Sequence, residues 1–150
     1  MRLWHYTTSA ALRGIFNDGE IKCDRILIKG EIPCVCLSTN PNWEETVRKV
    51  YENKKTGVKS EPLSRDGILK SGFSPIRIEI DPSKVNIIDW KTHCKKIPQN
   101  IAQGLEDTAK EWGADPKEWW FSYKPISIDC FISPIESWNG KKWVAAIKKN

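Results

Sequence analysis

No stretch of this chain approaches the roughly 18 consecutive apolar residues that a membrane-spanning helix needs. Nor does the N-terminus carry a charged region followed by an apolar core and a cleavage site. Both absences argue against membrane insertion and secretion, so the expected location is the cytoplasm. The five cysteines (Cys23, Cys34, Cys36, Cys94 and Cys130) are odd in number and scattered. They contain no CxxC pair, and His5 and His93 complete no zinc-like spacing, so no metal is expected. Reduced structural thiols are the reading, although Cys34 and Cys36, two apart, would share a face in a strand. Internal repeats and low-complexity segments are also missing.

What is present suits one soluble domain spanning residues 1–150, with 39% hydrophobic and 29% charged residues. Lys plus Arg number 24 against 19 Asp plus Glu, a net charge of +5 that is weak evidence for a polyanionic partner because the lysines are dispersed. Eight tryptophans are many for this length. They can build an aromatic core, an aromatic-walled cleft, or both.

Arg2 to Tyr6 reads as a strand. Ser9 then caps a helix with Leu12, Ile15 and Phe16 on one face and Gly19 as its stop. Cys34 to Leu37 suits a buried strand. After it, Asn40 as N-cap and Pro41 as first helical residue start a helix that places Trp43, Val47, Val50 and Tyr51 on one stripe. Residues 53–72 read as one long exposed loop. Ile76, Ile78 and Ile80 alternate with Arg77 and Glu79 in a half-buried strand, and Val85 to Ile88 suits another short one. Ile101, Leu105 and Trp112 mark a helix ended by Gly113, and Asp115 to Glu118 can start a further short one. After strand-like residues 126–132, Asn139-Gly140 signals a hairpin. A two-residue turn would set Trp138 opposite Lys141 and Glu136 opposite Trp143, leaving the carboxylate between two indoles. This order of elements predicts an α+β domain with a largely antiparallel sheet and flanking helices.

Three clusters place polar groups at strand ends or exposed strand faces: Leu3-Trp4-His5-Tyr6-Thr7-Thr8, Cys36-Leu37-Ser38-Thr39-Asn40-Pro41, and Ile135-Glu136-Ser137-Trp138. Singly, each has a plain structural explanation: a satisfied histidine, a helix cap, a solvated glutamate. In this order, with Ile15 and Gly19 between the first two, they resemble the ADP-ribosyltransferase fold, including small bacterial and phage NAD-binding domains and RNA 2′-phosphotransferases. The segment from Trp119-Trp120-Phe121-Ser122 to Glu136-Ser137-Trp138 resembles the tail of such domains. No Glu-x-Glu or Gln-x-Glu is present, since Pro134 precedes Glu136 by two, and this departs from the arginine-modifying members.

The resemblance implies a split sheet and NAD as substrate. His5 and Glu136 would be the catalytic pair, with His5, Tyr6, Thr7, Ser38, Thr39 and Arg77 binding NAD. Cleaving the nicotinamide–ribose bond develops positive charge on the ribose, which Glu136 would stabilise. Arg77 or Lys141 would assist its ionisation, and Ser38 and Thr39 would orient the ribose or brace the carboxylate. Arg77, alternating with isoleucines, suits a diphosphate, with a solvated arginine as the competing reading. Tyr6, Trp43 and Tyr51 are candidate stacking partners, of which Trp43 and Tyr51 fit the core better. The implied function is transfer of ADP-ribose to a macromolecular acceptor, protein or nucleic acid. The alternatives are NAD cleavage, a 2′-phosphotransferase-like reaction on the same fold, and a non-catalytic binding or inhibitor module.

Overall fold

The computed structural model describes residues 1–24 and 28–147, without the side chain of residue 147. In chain order it contains β1 (Leu3–Thr8), α1 (Ser9–Asp18), β2 (Glu20–Ile21), β3 (Val35–Ser38), α2 (Arg65–Lys70), β4 (Pro75–Ile80), β5 (Ile88–Asp89), α3 (Trp90–His93), α4 (Gln99–Trp112), β6 (Trp119–Ser122), β7 (Ile126–Ser127), β8 (Phe131–Trp138) and β9 (Trp143–Ile147). Seven strands form one antiparallel sheet in the order β5-β6-β3-β1-β4-β8-β9, and β2 pairs with β7 separately. The chain is thus α+β with a largely antiparallel sheet. Among the described residues no helix is long and apolar enough to cross a membrane.

Strand alternation assigns the two faces of the sheet. Leu3, Val35, Leu37, Ile76, Ile78 and Ile80 form one face, which packs on Leu12 and Ile15 of α1. The opposite face carries two smaller clusters. Trp119 and Phe121 meet Trp90 of α3 and Ala102 and Ala109 of α4, whereas Trp4 and Tyr6 meet Trp43 and Ile68 of α2.

Helix α1 ends as expected on Gly19, whose φ of 71° is a left-handed conformation that costs glycine little. Thr8 rather than Ser9 is its N-cap, because the Ser9 hydroxyl instead accepts the Ser74 amide at 2.9 Å. Helix α4 ends on Gly113, again as expected. The Asp115 segment forms a single 3-10 turn, its carboxylate accepting from the Lys117 amide.

Two expectations fail between β3 and β4. No helix follows Asn40-Pro41. The Asn40 side chain closes a local turn by accepting from the Asn42 amide at 2.9 Å, and the Glu44 carboxylate binds the Thr46 amide and hydroxyl. Such local side-chain bonds compete with helical ones. Of the supposed stripe, Trp43 is fully buried while Val50 is 52% exposed, so the spacing reflects no common face. Residues 53–72 are not one long loop either. Isolated bridges Lys49↔Leu63 and Glu52↔Lys59 make a small hairpin, and α2 follows with Ser64 capping Gly67.

The Asn139-Gly140 hairpin forms, but with a four-residue connection. Trp138 pairs with Trp143, and Glu136 lies opposite Ala145 rather than Trp143. Asn139 Oδ1 accepts the amides of both Lys141 and Lys142, at 2.8 and 2.9 Å, which lengthens the turn beyond two residues.

Candidate functional site

β1 is joined unequally to its neighbours. It shares six residue pairs with β4, from Leu3↔Ile80 to Thr8↔Pro75, but with β3 the register holds only Trp4↔Ser38. Beyond that pair the two strands part, and His5 bridges the gap, its Nδ1 lying 3.0 Å from the carbonyl oxygen of Cys36. A cleft of about 600 Å³ occupies this opening. Its walls come from β1, β3, the segment after β3, and one side of α4.

The contact with Cys36 fixes the state of His5. A carbonyl oxygen only accepts, so Nδ1 carries the proton and Nε2 keeps a lone pair. Burial lowers the His5 pKa below its ordinary value, and the Cys36 bond offsets this in part. Neutral His5 therefore offers the cleft an acceptor.

Glu44, a carboxylate only 6% exposed, also lines the cleft. Ser38 Oγ donates to its Oε2 at 3.0 Å. Trp119 Nε1 donates to its Oε1 at 3.0 Å, and the Thr46 hydroxyl donates to the same atom at 2.7 Å. A buried carboxylate requires such partners. Oε2 carries the single Ser38 bond and retains acceptor capacity toward the cleft. Glu118, at the end of the 3-10 turn before β6, has its pKa raised by burial and by the negative charge of Glu44. Lys22, Arg48 and Lys49 add positive charge to the walls and Asp24 and Glu31 negative charge; Lys22 is paired with Asp18, and Arg48 with Glu45.

The residues singled out from the sequence divide into two groups. His5, Tyr6, Thr7 and Ser38 all line the cleft. Tyr6 points its hydroxyl to the carbonyl oxygen of Asn40, and burial raises its pKa well above the ordinary phenol value. Thr39, Arg77 and Glu136 do not line it. Thr39 ties the end of β3 to β6 through its amide, which donates to the carbonyl oxygen of Glu118 at 2.9 Å.

Glu136 does not share the cleft with His5 and Ser38, and its cross-strand partner is Ala145 rather than the Trp143 that the two-residue turn implied. Two strands separate β8 from β3, and the Glu136 side chain is held by Arg77, whose Nε lies 2.9 Å from Oε1. The expected partnership of Arg77 and Glu136 does form, but outside the cleft. Arg77 also donates to the Pro41 carbonyl oxygen and lies 4.9 Å above the Trp143 ring, so its guanidinium is already engaged.

Sequence reasoning missed Glu44 and His93. Glu44 was hidden inside a supposed amphipathic helix. An acidic residue next to Trp43 carries no local sign that both will be buried. His93, stacked on Phe121 at 4.1 Å with its Nδ1 2.6 Å from the Tyr123 hydroxyl, reaches the cleft only through α3. Among the described residues no three His, Cys, Asp or Glu side chains are grouped to hold a metal ion. Comparison of the chain with family models, curated proteins and solved structures returns no match.

Proposed function

We propose that the cleft between β1 and β3 binds NAD and that the protein transfers its ADP-ribose to a macromolecular acceptor, on a scaffold of the ADP-ribosyltransferase type. The observation that carries this reading is the loss of β1–β3 pairing at His5, with a hydrogen-bonded carboxylate, Glu44, among the residues that line the same cleft. The cleft volume suits a ligand of dinucleotide size.

In this reading His5 Nε2 accepts a ribose hydroxyl. Lys22 and Lys49 meet the diphosphate. Glu44 takes the part that the sequence resemblance assigned to Glu136. Positive charge develops on the ribose as the nicotinamide bond breaks, and a carboxylate held in place beforehand by Ser38, Thr46 and Trp119 needs no reorganisation to stabilise it. Nicotinamide leaves, and the acceptor nucleophile bonds to the ribose carbon and releases its proton.

Labelled NAD incubated with the protein and a lysate tests this. Wild type should label a macromolecule and release nicotinamide, and Glu44→Gln should lower the rate by about 10² or more. Glu136→Gln should stay within about twofold, as fits a group remote from the reacting bond. Nicotinamide release without a labelled acceptor would assign NAD hydrolysis instead. Absence of NAD binding by calorimetry, or a fully active Glu44→Gln variant whose melting curve matches wild type, overturns the reading.

A further inference from the structure

The cleft contains two thiols that the proposed reaction does not use. Cys34 directly precedes β3 and Cys36 lies within it, and their sulfurs are 3.9 Å apart. Both line the cleft, but they differ in access: Cys34 is 8% exposed, whereas Cys36 is the exposed cysteine of the chain, the remaining three being half-buried. The carbonyl oxygen of Cys36 is also the one that receives His5 Nδ1. Anything attached to the Cys36 sulfur therefore starts inside the cleft, one strand from His5.

We propose that Cys36, with Cys34 as its partner thiol, is a modification site at which a low-molecular-weight disulfide such as oxidised glutathione forms a mixed disulfide that fills the cleft. The Cys36 thiolate attacks one sulfur of the reagent. A new S–S bond forms, the reagent's own S–S bond breaks, and the departing thiolate takes up the proton lost by the pair. The protein cysteine is oxidised and half of the reagent is reduced, so no further oxidant enters.

Cys34 supplies the ionisation. When one proton leaves the pair, the remaining S–H donates to the thiolate, which eases the first ionisation and hinders the second. The contact lowers the Cys34 pKa and, with burial, pushes the Cys36 thiol up, so the charge rests mainly on Cys34. Transfer of the proton across the contact gives the minor form in which Cys36, the sulfur an incoming reagent reaches, carries it. Two residues along a strand span about 6.4–6.8 Å. That is the upper edge of the Cα separation a disulfide accepts, about 6.8 Å. Closure to a Cys34–Cys36 disulfide is therefore disfavoured, and the adduct persists.

The experiment treats the full chain with oxidised glutathione and follows it by intact mass and peptide mapping. One adduct should form first, on Cys36, roughly tenfold or more faster than on any other cysteine. Cys36→Ser should abolish this fast phase, and both Cys34→Ser and Cys34→Ala should slow it about tenfold while Cys36 remains the site. First modification at Cys23, Cys94 or Cys130, an unchanged rate in both Cys34 variants, or an internal disulfide without a retained adduct overturns the proposal. Its functional consequence rests on the NAD reading: the adduct should lose NAD binding. If untreated protein binds no NAD yet Cys36 is modified selectively, the NAD reading fails and the modification site stands. If the adduct binds NAD as tightly as untreated protein, the claim that it fills the cleft is wrong.

Discussion

His5 and His93 both line the cleft, and burial pushes both pKa values below the ordinary imidazole value of 6.5. For His93 the nearby charge of Lys96 adds to the effect. The folded chain then binds fewer protons than the unfolded chain between the lowered values and 6.5, so stability is full above that window and falls as pH drops through it. Glu79, its pKa lowered by the hydrogen bond from Arg2, loses its contribution in the same direction, but only below its ordinary value of 4.5. Thermal melts taken from about pH 8 to about pH 5 should show the melting temperature declining across the histidine window. His93→Phe, which keeps an aromatic ring against Phe121 at 4.1 Å, should flatten that decline. A melting temperature that does not change over this range would show that neither histidine is held neutral by the fold.

At the level of elements, the Arg77–Glu136 pair joins β4 to β8 and reaches the segment after β3 through the Pro41 carbonyl. Side-chain exposures of 16% and 24% put this pair between a solvated and a fully buried ion pair. Removing one partner should therefore cost about 1–3 kcal/mol. Arg77→Leu should cost more than Glu136→Gln, because it also frees the Pro41 carbonyl and uncovers Trp143; urea unfolding of the two variants measures the difference. Equal, negligible losses would mean that the pair is merely solvated.

The same strands show what local sequence conveys. The alternation of Ile76, Ile78 and Ile80 identified β4, and the glycines after α1 and α4 identified both helix ends, since period and cap chemistry are local properties. The partner of a strand is not local. That β4 lies between β1 and β8 had to come from the structure, and with it the finding that Glu136 is held on Arg77. Half of the candidate site was legible for the same reason: His5, Tyr6, Thr7 and Ser38 belong to two strands that adjoin at Trp4↔Ser38. Glu44 was not, because its burial depends on Trp119, 75 residues away, and its segment imitates a helix without forming one.

For the whole molecule, the division between six β1–β4 pairs and a single β1–β3 pair separates a well-laddered half from a half held at one point and by side chains. His5 on Cys36 and Tyr6 on Asn40 are polar links from β1 across that opening, while Ser38 and Trp119 hold Glu44 on the β3 side of it. A ligand that touches both walls adds links the empty cleft lacks, and it binds the folded chain alone. Mass action then raises stability by about 2.7 kcal/mol at a ligand concentration near 100 times Kd. For a chain of this size that corresponds to a rise in Tm of roughly 5–11 °C. NAD should produce this shift in wild type. Ser38→Ala, which releases Glu44 Oε2 from β3, should lower the starting Tm and reduce the shift. Glu136→Gln should lower the starting Tm yet keep the shift. A full shift in Ser38→Ala together with a lost shift in Glu136→Gln would move the binding site from the opening beside β3 to the β4–β8 side of the sheet.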